Sequence, residues 1–160
     1  MDFSDIFNYD GQAVPSGNGD SVFLANLPAD DWSYILSFTQ RCRFRAGEMV
    51  VRQGELSDVL YIVASGELDV LLTESDGEVR KISGIQPLSV FGEQAFLDGL
   101  PRLASVQAVT DSEMHLLTRE AFDRLAARHP DLARQMLFDL GRIVSLRLRE
   151  MMALAMRGSR

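Results

Sequence analysis

Hydrophobic positions change their period twice along this chain. In LPADDWSYILSFTQ, residues 27 to 40, Trp32, Ile35 and Leu36 fall at helical spacing behind a first turn rich in aspartate. That spacing, with acid at the positive end of the helix dipole, predicts a helix. From about residue 42 to 118 the period becomes two. VLYIVAS, ELDVLLTES, EVRKISGI, LASVQAVT and EMHLLT are short and rich in β-branched residues. Turn signals punctuate them: Gly47, Gly54, Gly66, Ser75-Asp76-Gly77, Gly84 and Gly99. Many short strands so separated predict a sandwich, jelly roll or barrel.

Residues 119 to 156 return to helical spacing. TREAFDRLAAR is expected to stop before His129-Pro130, because the residue preceding proline is disfavoured in the α region. Pro130 then suits the first turn of a second, long helix. There Leu137, Leu140, Val144, Leu148, Met151 and Ala155 step by three and four into one continuous stripe. With Met151, Met152 and Met156, the stripe fits an output surface or a homodimer seam, and equally plain packing on the domain's own core. At the other end, residues 1 to 21 finish in a Gly/Pro/Ser/Asn cluster and read as a flexible tail before a domain spanning 22 to 160. Phe3, Ile6 and Phe7 share helical spacing, so a short docking turn and a frayed terminus both fit.

Composition narrows the class. At 160 residues, 46% hydrophobic and 24% charged, one globular domain is expected. No apolar run reaches membrane-helix length, and no basic segment leads into an apolar one, so a cytoplasmic protein away from the membrane is expected. Cys42 is the single cysteine, which rules out a disulfide framework and a thiolate zinc cluster. The net charge of −7 opposes nonspecific binding to DNA or anionic membrane. The charge is uneven: residues 1 to 118 hold 18 acidic and 7 basic side chains, so a cation in the strand region stands out. Arg102 is such a cation, the only Lys or Arg between Lys81 and Arg119.

Most site chemistries lack their residues. There is no phosphate-binding GxxxxGK loop, and Gly17 and Gly19 have no third glycine for a dinucleotide fingerprint. Two isolated histidines, His115 and His129, cannot supply the three ligands of a usual catalytic metal site or a hydrolytic triad. Neither catalysis nor a metal is expected.

The stretch FGEQAFLDGLPRLASV, residues 91 to 106, does carry chemistry. Gly92 permits close backbone approach, and EQAFLDG has the length of one or two helical turns whose free N–H groups suit an oxyanion. Arg102 can add a bidentate, charge-assisted contact to a phosphate. Glu93 can accept from a sugar hydroxyl, or hold Arg102 in place. By spacing alone, a simple surface ion pair explains Glu93 and Arg102 equally well.

AGEMVVRQGELSDVLYIVASGELDV followed by FGEQAFLDGLPRLASV resembles the cyclic nucleotide-binding domain, the module of catabolite activator proteins, protein kinase A regulatory subunits and cyclic-nucleotide-gated channels. The resemblance runs from about residue 27 to 154 and implies an eight-stranded jelly-roll (double-stranded β-helix) barrel. An N-terminal helix and C-terminal helices would lie outside it. It implies a binding module and no enzyme. Gly92, Glu93, Gln94, Ala95, Arg102, Leu103 and Ala104 become the ligand-binding set, with Glu93 on the ribose 2′-hydroxyl and Arg102 on the cyclic phosphate. Gly66 matches a tight-turn glycine. Ser145, Arg147 and Leu148 are the stretch of the last helix expected to face the base, although Arg147 reads equally as a solvated helix charge.

Two departures bear on the ligand. The residue after the family's arginine is Leu103, and the missing hydroxyl tilts the choice toward cAMP. Arg147 could meet a guanine carbonyl, which keeps cGMP or a cyclic dinucleotide open. The usual Pro-Gly-Asp lead is Gln86-Pro87-Leu88-Ser89 here. With no winged helix after the long helix, DNA binding is not expected. The expected partner is a protein or a second copy, addressed through the last helix. The competing expectation is a degenerate scaffold that binds no nucleotide.

Overall fold

The computed structural model describes residues 22–158. Its elements are α1 (Ala29–Leu36), β1 (Gln40–Phe44), β2 (Met49–Val51), β3 (Leu60–Ser65), β4 (Leu68–Thr73), β5 (Val79–Ile85), β6 (Val90–Phe91), α2 (Glu93–Asp98), β7 (Ser105–Ala108), β8 (Ser112–Leu117), α3 (Arg119–Arg128) and α4 (Pro130–Gly158). The five quoted strand segments all form strands. The first helix is shorter than expected, because Ser37 and Thr39 turn their hydroxyls back onto the carbonyls of Tyr34 and Leu36 and β1 begins at Gln40.

The strands form two antiparallel four-stranded sheets, ordered β1-β8-β3-β6 and β2-β7-β4-β5. That is the strand order of a double-sheet jelly roll. The expected closed barrel needs correction: among the described residues no ladder joins the two sheets. The facing edges include β6, with two residues, and β2, with three, too short to carry pairing round a corner.

β3 explains why VLYIVAS is apolar without interruption. Tyr61 and Val63 point between the sheets with Val51, Leu68, Phe91, Val106 and Met114. Leu60 and Ile62 point the other way, into a second core roofed by the helices. Alternation is masked because both faces are buried. β5, by contrast, is an exposed edge carrying Arg80 and Lys81, charges that discourage edge-to-edge pairing.

α3 is capped by Thr118, whose hydroxyl accepts the Ala121 N–H, and His129 ends it while its Nδ1 accepts the Leu132 N–H. In α4 the buried residues are Leu132, Ala133, Met136, Leu140 and Ile143. This differs from the expected stripe, of which Leu137, Leu148 and Met151 are 43%, 58% and 63% exposed. At about 100° per residue, α4 therefore has two apolar faces that share Leu140. Every residue from 148 to 158 is exposed, so the last turns project from the body. No helix among the described residues is long and apolar enough to cross a membrane.

Candidate functional site

β6 delivers the chain to Gly92, which sits at φ 78°. A Cβ there would collide with Arg102 Nη1 and lie 2.8 Å from the Val59 carbonyl oxygen, so both the dihedral and the space call for glycine. α2 follows for six residues and ends at Gly99, φ 70°, whose N–H returns to the Ala95 carbonyl. The chain then reaches Arg102, whose backbone pairs with the loop before β3: Arg102 N–H donates to Glu55 O at 2.9 Å, and Gly54 N–H donates to Arg102 O at 2.8 Å.

The Arg102 side chain folds inward and is 5% exposed. Its Nη1 donates to Gly92 O at 3.1 Å, and its Nη2 donates to Val59 O at 2.8 Å and Ser57 Oγ at 3.2 Å. The guanidinium carbon lies 5.8 Å from the centroid of the Tyr61 ring, which stacks on Phe91 at 4.7 Å. Burial pulls the arginine's pKa below its ordinary value, opposed by Tyr61, Glu55, Glu93 and Asp58. Burial likewise raises the Tyr61 phenol. Among the described residues the buried Nε–H has no partner. An unmet buried donor costs about 1–3 kcal/mol, and an oxyanion would supply the missing acceptor.

Glu93, at the start of α2, is 6% exposed. Its carboxylate meets Arg147 of α4: Nη1 lies 2.5 Å from Oε1, while Nη2 donates to Val90 O at 2.6 Å. Glu93 therefore does not hold Arg102 by a direct bond, and the surface-pair alternative fails for both residues because both are buried. Arg147 is not a freely solvated helix charge, because it makes this ion pair with the cassette.

The structure thus brings Gly92, Glu93, Arg102 and Arg147 together. Ala95 is buried on the inner side of α2, and Ala104 is partly buried just before β7. Gln94 is exposed, Leu103 is 68% exposed, and Ser145 and Leu148 are exposed on α4, outside this cluster of bonds. Gly66 turns at φ 91°, with Ser112 where a Cβ would stand. Sequence reasoning missed Ser57, the Val59 and Val90 carbonyls and Tyr61 as neighbours of the charges. Ser57, Val59 and Tyr61 lay in a quoted motif without being singled out, and a carbonyl has no residue signature at all.

Comparison with known proteins finds the same region. A family model described as "Cyclic nucleotide-binding domain" matches residues 41–129. The cyclic AMP receptor protein of Thermus thermophilus is 35% identical over 130 residues, which is 81% of this chain and 58% of that protein. The cAMP-dependent protein kinase regulatory subunit of Blastocladiella emersonii is 30% identical over 123 residues, 77% of this chain and 30% of that protein. The chain thus spans only part of the length of either relative. Among solved structures, the Thermus thermophilus catabolite activator protein superposes with a TM-score of 0.73 at 32% identity, covering 84% of this chain and 62% of that one.

Proposed function

This chain belongs to the cyclic nucleotide-binding domain family, and from that premise we propose that it binds a cyclic nucleotide reversibly, cAMP in preference to cGMP, and passes its state on through α4. The observation that carries this reading is Arg102: a buried guanidinium with an unmet Nε donor, on the glycine-shaped loop that also holds a buried carboxylate. The cyclic phosphate supplies the acceptor that Nε–H lacks, and the ribose 2′-hydroxyl donates to Glu93. Leu103 offers no hydroxyl to a guanine, which favours cAMP. Gln94, Ala95 and Ala104 complete the cassette around the ligand, and Ser145 and Leu148, on either side of Arg147 in α4, are offered to the base.

The output is α4. Its apolar face of Leu137, Leu148, Met151 and Ala155, all exposed, with the half-buried Val144, is the surface offered to a protein partner or a second copy. Ligand shifts the helix only by as much as its affinity differs between the two positions.

Calorimetric titration of cAMP, cGMP and a cyclic dinucleotide tests the reading. The intact chain takes up cAMP most tightly, and Arg102→Gln weakens it roughly 10- to 150-fold, the loss of one charge-assisted hydrogen bond of about 1.5–3 kcal/mol. No heat with any of the three nucleotides sinks the proposal.

A further inference from the structure

Where α3 meets the first half of α4, the two helices leave an open groove of about 430 Å³. Phe122 and Ala126 line it from α3, and Ala133, Arg134, Leu137 and Phe138 line it from α4. Phe122 and Ala133 are buried and form its floor, while its rim is apolar and uncovered, with Phe138 79% exposed. Arg134 is the one charge among these six residues, and its guanidinium has no partner among the described residues. The groove therefore offers an apolar slot with a single unpaired cation beside it.

The same chain holds a segment of matching chemistry. Phe3, Ile6 and Phe7, three apolar side chains at helical spacing, lie outside the described residues. Residues 1 to 21 carry four aspartates and no Lys or Arg, so their charge complements Arg134. The attachment point is close. Arg142 Nη2 donates to Val22 O at 2.8 Å, which pins the first described residue beside α4. Phe138 and Arg134 lie one and two helical turns from Arg142, about 6 and 12 Å along the axis. The stretch 11–21 separates the segment from Val22, and a chain of that length spans roughly 18 Å root-mean-square. Such a tether gives an effective concentration on the order of millimolar.

We infer that residues 1–10 of this chain dock in the α3–α4 groove, with Phe3, Ile6 and Phe7 in the slot and the aspartates facing Arg134. A groove two turns long suits one short segment, whereas a stable dimer buries roughly 1,200–2,000 Å². The seated segment covers Leu137, and with it one end of the face that α4 offers to a partner. This docking is independent of the nucleotide.

The experiment is NMR of the full chain and of its triple variant Phe3→Ser, Ile6→Ser, Phe7→Ser, which leaves residues 22–158 unchanged. The signals of Ala126, Ala133, Leu137 and Phe138 differ between the two, and a synthetic peptide of residues 1–12 added to the triple variant restores them. Adding Leu137→Ser to the triple variant abolishes the response to the peptide. Adding Arg134→Glu instead weakens peptide binding about two- to fivefold, as loss of an exposed ion pair does, and by less in high salt. Identical groove signals in the parent and the triple variant overturn the inference, whatever the peptide does. A difference that the peptide fails to restore, or peptide binding that survives Leu137→Ser, overturns it as well. Parent signals that revert on dilution toward those of the triple variant assign the groove to a second copy, and the inference falls.

Discussion

At the scale of single residues, the site depends on side chains that cannot be exchanged without moving others. Gly92 combines a left-handed backbone with a Cβ position already occupied by Arg102 and Val59. Gly92→Ala is expected to cost at least about 1–3 kcal/mol in backbone strain alone and to displace the Arg102 guanidinium. Thermal melting and nucleotide titration should therefore both deteriorate, and a variant with native melting and native affinity contradicts this account. His115, which shares a hydrogen bond with Thr39, has its pKa lowered mainly by burial, with Arg41 adding to it and Glu113 opposing. The unfolded imidazole then takes up a proton first as pH falls through about 6.5, so stability is full above that value and declines below it until the folded imidazole titrates as well. Urea midpoints measured from about pH 7.5 down to about pH 5 should fall in the parent and fall less in His115→Gln. Glu93 and Arg102 were legible in the sequence as residue types in a suitable spacing. Their burial was not, nor was the partner of Glu93, which comes from 54 positions further along the chain.

At the scale of elements, α4 ties the fold together through a polar clamp. Asp139 Oδ2 accepts the Leu24 N–H at 2.7 Å, Arg142 Nη2 donates to Val22 O at 2.8 Å, and the two side chains pair at 2.6 Å. The clamped segment bridges to Ser89 and its Phe23 N–H donates to Leu88 O, so it lies against the lead into β6. Asp139→Ala strands the Leu24 backbone donor and takes the carboxylate away from Arg142, and should lower unfolding stability by about 1–3 kcal/mol, read from denaturant midpoints. A change below about 0.5 kcal/mol would show that water replaces the clamp. Strands and helices with a strong period were legible because a repeated burial pattern writes itself into the residues. β6, with two residues, has no period to read. Which apolar stripe of α4 is buried was not legible, because both stripes are apolar and step by three and four.

At the scale of the whole molecule, the projecting end of α4 leaves Leu148 and Met151 exposed without unfolding anything. Replacing both with glutamate should change stability by no more than about 0.5 kcal/mol each, yet convert a sedimenting dimer to a monomer if a second copy is the partner. A parent chain that sediments as a monomer excludes a second copy as the occupant of this face. The sequence by itself determined the class of fold, the order of its helices and of five of its eight strands, and the stretch that holds Glu93 and Arg102, because local period and turn chemistry are carried by neighbouring residues. Only the tertiary structure decided that the strands form two sheets without closing, that α4 buries one apolar stripe and exposes most of the other, and that Arg147 pairs with Glu93. Those outcomes depend on contacts between residues far apart in the chain, where geometry selects one partner among several of suitable chemistry.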